Sequence, residues 1–111
     1  MKRLLTMGYI LLFAVCVPLF SAGKGDATAG KAVYTKRCAT CHGAAGEGKE
    51  AIAKMLKVEM HHLGSKEVQA KSDAELRKVI VRGARKMKPV TGLTDSEVAN
   101  LIAYVRSLAK K

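Results

Sequence analysis

Five consecutive residues, Cys38-Ala39-Thr40-Cys41-His42, constrain this chain more than any other feature. They form C-x-x-C-H, the covalent attachment pattern of c-type haem. The spacing follows from the chemistry. Two thiols three positions apart can each add to one vinyl group of a porphyrin, forming two thioethers. The adjoining His42 is then held beneath the ring, where an imidazole nitrogen can bind iron. Gly43 lets the backbone pass close to the macrocycle with no side chain in the way. A redox dithiol would need a strand before the motif and a βαβ pattern around it, and the sequence offers neither. A zinc site would need a second pair of ligands. His61 and His62 are adjacent, which suits one metal poorly, and no cysteine follows Cys41.

A chain of 111 residues is expected to form one domain. Lys2 and Arg3 precede an apolar run from Leu4 to Phe20, and Ser21-Ala22-Gly23 supplies small residues for a cut after Gly23. Charged start, apolar middle and small-residue exit read as an export signal over residues 1–23, with residues 24–111 as the remaining domain. An uncleaved anchor is the alternative, although the run is near the lower limit of roughly 17 residues for spanning a bilayer. Cys16 falls inside this run and would be lost with it. Export to the periplasm agrees with the motif, because haem is attached to reduced thiols outside the cytosol. Beyond Gly23 the only cysteines are the two of the motif, so no disulfide framework remains. The net charge of +11 steers the chain toward acidic partners and makes association salt-sensitive. Nucleic acid is not supported: the chain carries no such motif, and beyond the signal its only aromatics are Tyr34 and Tyr104.

The rest of the chain reads as helix and loop. Asp26 can cap a helix running from Ala27 to the motif. Gly30 and Tyr34 share a face of it, and Gly30 costs about 1 kcal/mol relative to alanine. Either a close helix crossing or a tolerated surface glycine would account for that. The segment from Gly43 to Lys49 is a loop. Glu50–Leu56 is weakly helical, with Ala51, Ile52, Met55 and Leu56 as its apolar side. From Lys57 to Lys71 there is no clean period, so a long connection covering one edge of the cofactor is expected. Ser72-x-x-Glu75 and Thr94-x-x-Glu97 are capping boxes. The first opens a helix with Leu76, Val79 and Ile80 on one face, ending at Gly83. The second opens a stripe of Val98, Leu101, Ile102, Val105 and Leu108, with Lys110 and Lys111 suiting the end of its dipole. The expected fold is therefore all-α, with three main helices around one haem. An apolar core this small is marginal without the cofactor.

Iron held by one imidazole has a second axial position. Met55, Met60, His61, His62 and Met87 are the candidates. Met87 is favoured. It lies in the loop Gly83–Pro89 between two helices, flanked by Lys86 and Lys88, which argues against simple core filling. A thioether opposite histidine raises the haem potential and suits electron carriage.

Together these residues resemble class I cytochrome c in its small bacterial monohaem form, over residues 26–109. The likeness rests on Gly30 and Tyr34, on Cys38-x-x-Cys41-His42-Gly43, on Gly83-x-x-x-Met87 and on Leu101-x-x-Tyr104. The resemblance implies that the first and last helices cross, Gly30 and Tyr34 meeting Leu101 and Tyr104. It also implies one-electron transfer between larger redox complexes, or service as a haem domain attached to an enzyme. An electron carrier rather than an enzyme is expected, a monomer whose surplus lysines, Lys86 and Lys88 among them, dock acidic partners. Two departures stand out. Lys88 separates Met87 from Pro89. No proline lies between His42 and Pro89, so a carbonyl other than the family's usual prolyl one must orient His42. Two other functions compete: a haem enzyme or ligand-binding protein with a labile distal site and His61 or His62 as base, and a fixed haem subunit of a larger oxidoreductase.

Overall fold

The computed structural model describes residues 25–110. The expected export signal, with Cys16, lies outside the described residues, as does Lys111. Among the described residues the elements are all helical: α1 (Ala27–Arg37), α2 (Ala39–His42), α3 (Glu50–Leu56), α4 (Lys66–Gln69), α5 (Asp73–Arg82) and α6 (Asp95–Ser107). Three of them, α1, α5 and α6, are long, at 11, 10 and 13 residues.

The long helices start where capping chemistry places them. Asp26 is extended, and its carboxylate accepts from the Thr28 N–H at 2.8 Å. Ser72 and Glu75 form both bonds of a capping box, as do Thr94 and Glu97. Each such cap is worth about 1 kcal/mol. The arginine of the last turn of α6 is Arg106, and Lys110 lies beyond the helix end at Ser107.

Helices α1 and α6 cross at Gly30, which is buried. A Cβ there would overlap the Asn100 carbonyl oxygen, and one at Gly25 would overlap the Ala99 carbonyl. The two backbones are thus in contact, which offsets the poor helix propensity of Gly30. Asn100 Oδ1 also accepts from the Asp26 N–H at 2.8 Å, tying the start of α1 to α6. One turn on, the rings of Tyr34 and Tyr104 meet at 4.9 Å with a 54° tilt. Such a pair adds about 0.5–1.5 kcal/mol beyond its buried area. Tyr34 and Leu101 are each 1% exposed. The crossing implied by the resemblance is therefore present at the expected residues. Leu76 and Ile80 of α5 join the same core, and Arg77 pairs with Asp95 at the start of α6.

Two expectations need correction. The connection from Lys57 to Lys71 is not wholly irregular: Ser65 caps the single turn α4, its Oγ accepting from the Val68 N–H at 3.4 Å. A four-residue turn is too short to show a hydrophobic period. Helix α3 forms where expected, but its apolar side is not a core face. Ala51 is exposed, Met55 is 69% exposed, and Ile52 and Leu56 are only half-buried. Its seven residues end at Lys57 in the left-handed region (φ 55°), and α3 contributes nothing to the core.

Candidate haem site

The attachment motif is itself one helical turn. Cys38 ends α1 and begins α2. The His42 N–H donates to the Cys38 carbonyl at 3.0 Å, and the Gly43 N–H to the Ala39 carbonyl at 2.9 Å. Gly43 then takes φ 82°, and a side chain there would meet the Glu47 carboxylate. That requirement adds to the expected one of close approach to the ring. The following loop turns back on the motif. The Gly48 N–H donates to the His42 carbonyl at 2.6 Å, and the Lys49 N–H to the Cys41 carbonyl at 3.0 Å. Buried Tyr34 donates its O–H to the Gly43 carbonyl at 2.5 Å. The Cys41, His42 and Gly43 carbonyls at the end of the turn are thus paired outside the helix. Sequence reasoning assigned Tyr34 to the helix crossing and missed this second role.

Beside the motif lies an open-mouthed cavity of ≈ 670 Å³, mouth included. Tyr34, Cys38 and His42 form one end of its lining. Helix α5 contributes Leu76, Val79 and Ile80, and α6 contributes Leu101, Ile102 and Val105. Leu63, Val68 and Lys71 come from the connection around α4, and Met87 from the turn before α6. Of the residues singled out in the sequence, Cys38, His42 and Met87 therefore line one space. Cys41 is half-buried one turn along and is not part of the lining.

His42 is suited to hold a metal. Burial lowers its pKa, so the ring is neutral at pH 7, the form that ligates. Its Nδ1 is enclosed and has no hydrogen-bond partner. The carbonyl expected to orient it is thus not found among the described residues. Burial pushes the Cys38 thiol up to about 11, so it stands as an uncharged thiol against an apolar wall. The two motif cysteines are not joined in a disulfide.

Met87 is carried by a tight turn. The Met87 N–H donates to the Ala84 carbonyl at 2.8 Å and the Ala84 N–H to the Met87 carbonyl at 3.1 Å, with Arg85 left-handed at φ 50°. Gly83 packs so closely that a Cβ would crowd the Met87 carbonyl and Pro89. The Val90 N–H donates to the Ile80 carbonyl at 2.8 Å, fixing the far end of the loop to α5. The other candidate ligands stand elsewhere. His61 Nδ1 pairs with the Glu67 carboxylate at 2.9 Å, and His62 Nδ1 accepts from the Gly64 N–H at 2.8 Å. Neither histidine lines the cavity, nor do Met55 and Met60. Among the described residues no group of three or more His, Cys, Asp or Glu could hold a metal ion. An apolar slot with a thiol and a neutral imidazole at one end fits a haem joined at the motif.

The sequence model of the cytochrome c family matches residues 27–109. Cytochrome c-554(547) of Halothiobacillus neapolitanus is 34% identical, over 76% of this chain and 98% of its own. Cytochrome c-555 of Chlorobaculum tepidum is 36% identical, over 77% and 79%. Cytochrome c6 of a Picosynechococcus species is 31% identical, over 99% and 97%. Among solved structures, the c-type cytochrome KustC0563 superposes with a TM-score of 0.63 at 31% identity, covering 73% of this chain and 98% of that one. The chain belongs to the cytochrome c family, has its all-α fold, and carries a covalently attached haem c.

Proposed function

We propose that this protein is an exported, periplasmic carrier of single electrons, its haem bonded to Cys38 and Cys41 and its iron held between His42 and Met87. The observation that carries the reading is that Cys38, His42 and Met87 line one apolar cavity. The haem supplies an iron that moves between +2 and +3. The chain does the rest. The motif turn fixes the imidazole, the Ala84–Met87 turn presents the thioether, and α5 and α6 exclude water. A ligand pair held on separate, anchored elements moves little between oxidation states, which keeps electron transfer fast. The relatives named as cytochromes c6 and c-555 support the carrier class.

Export is read from the basic start, apolar run and small-residue exit over residues 1–23. Among the described residues no helix is long and apolar enough to cross a membrane. The high positive charge, with exposed Lys86 and Lys88 flanking Met87, suits docking to acidic redox proteins. A catalytic site would want His61 or His62 at the distal position, and both have partners away from the cavity.

The optical spectrum tests the ligands. The oxidised protein should show a weak far-red band from sulfur–iron bonding, and Met87→Ala should lose it. A pyridine haemochrome characteristic of two thioethers should accompany it. A native protein that binds carbon monoxide tightly when reduced would overturn the His42–Met87 pairing. Export is tested by fractionation, which should find the protein in the periplasm with its chain starting near Lys24.

A further inference from the structure

We infer that Lys71 is the cationic partner of the haem's carboxylates, held at the cavity mouth by Arg106. The inference rests on the haem occupying the cavity described above. Among the residues lining this apolar space Lys71 is the only Lys, Arg, Asp or Glu, its aliphatic stem forming part of the wall. It is also exposed. A residue that lines a cavity and still meets solvent stands at its rim. Porphyrin carries two propionate groups, and an apolar slot cannot take an unpaired carboxylate without a large desolvation cost. The carboxylates are therefore driven to the rim, where a lysine can pair with one of them.

The placement of Lys71 is not left to a loose loop. Its N–H donates to the Val68 carbonyl at 3.1 Å. Its carbonyl accepts from Arg106 Nη2 at 2.6 Å. The same guanidinium reaches the Gln69 carbonyl at 2.8 Å and the Asp73 carboxylate at 2.8 Å. Gln69 in turn donates to the Val105 carbonyl at 2.9 Å. Lys71 is thus pinned to α6 on both sides, while its own side chain makes no hydrogen bond or ion pair with the described residues. A rigidly held backbone bearing an uncommitted cation at the mouth of an apolar slot is what anion capture requires.

The test compares three variants of the haem-loaded protein. Lys71→Gln removes the charge, Lys71→Arg keeps it, and Lys78→Gln removes an exposed charge on α5 that does not line the cavity. Loss of the cation near the cofactor favours the oxidised form. Lys71→Gln should shift the reduced-to-oxidised ratio by about threefold toward oxidised, the order expected of one partly screened charge. It should also move the propionate methylene resonances in the proton NMR spectrum of the oxidised protein. Lys71→Arg should leave the ratio near the wild-type value, and Lys78→Gln should leave both readouts unchanged. Equal effects from Lys71→Gln and Lys78→Gln, or unmoved propionate resonances, would overturn the inference. The haemochrome and far-red band of the wild type report separately on attachment and axial ligation, so failure here is distinguishable from failure there.

Discussion

The two sides of the molecule are held by different kinds of force. On one side α1 and α6 press backbone to backbone at Gly30, with Tyr34, Val98 and Leu101 almost fully buried. On the other, the stretch from Gly43 to Lys71 has no buried apolar side chain. It is held by backbone bonds, by the Gln69 and Arg106 side chains and by partial contact of Leu63 and Val68 with the core. Its longest helix, α3, leaves Met55 in water. The first side is a protein core in the usual sense. The second is a wrap in which Leu63 and Val68 are the apolar residues that line the cavity. The difference teaches that the α1–α6 side has a packed core of its own, which also walls the cavity through Tyr34, Leu101, Ile102 and Val105, whereas the wrap has none and leans on the cofactor.

The sharpest way to break that contrast is to withhold the haem. Replacing Cys38 and Cys41 together by alanine should abolish cooperative thermal unfolding, read by circular dichroism. Residual helix should concentrate in α1 and α6 while the wrap exchanges its amides freely. A haem-free chain that melted cooperatively would show that the wrap folds unaided. Next in size is the crossing. Gly30→Ala should cost the loaded protein about 3 kcal/mol in denaturant, because the added carbon meets backbone that cannot yield. Gly92→Ala, at a position with open space but φ 78°, should cost only about 1 kcal/mol.

Tyr34 joins the two regions, so it tests the seam. Tyr34→Phe leaves the Gly43 carbonyl with only the 3.3 Å bond from the Gly46 N–H and should cost about 1 kcal/mol. Burial pushes the phenol up from 10.0 to about 12. A folded-state pKa above the unfolded one means the stabilisation is complete below about pH 10 and is lost as pH rises toward about 12. Wild-type stability should therefore fall more steeply over that window than that of Tyr34→Phe. Arg106→Met should cost about 1–2 kcal/mol. Its signature is regional: hydrogen exchange should quicken between residues 63 and 73 and stay unchanged in α1. Smallest of all, Met55→Gln should change stability by less than about 0.5 kcal/mol, measured by the same denaturant midpoint.

What could be read in advance divides along the same line. The capped, periodic helices α5 and α6 announce themselves through Ser72-x-x-Glu75, Thr94-x-x-Glu97 and the stripe from Val98. The motif turn announces itself through its chemistry. Helix α1 has almost no amphipathic pattern; Gly30 raised a close crossing as one of two readings, and the resemblance decided between them. The wrap was largely opaque. Its residues answer to a non-protein surface, so their spacing follows neither 3.6 nor 2. Met55 reads as a core residue by type, yet α3 has no helix to bury it. Lys71, Gln69 and Arg106 look like ordinary surface residues in sequence, since a clamp built from backbone carbonyls leaves no mark on residue type. The unpaired Nδ1 of His42 was half-visible: the missing proline predicts a change of acceptor, and none is found among the described residues.

The bond from the Asp26 amide to Asn100 joins positions 74 apart in the chain. Closing so wide a span is slow compared with forming a single helical turn. The thiols of Cys38 and Cys41 therefore emerge, and remain reachable, well before the last helix can seal the space above them. A haem joined at that stage meets an open polypeptide rather than a finished pocket.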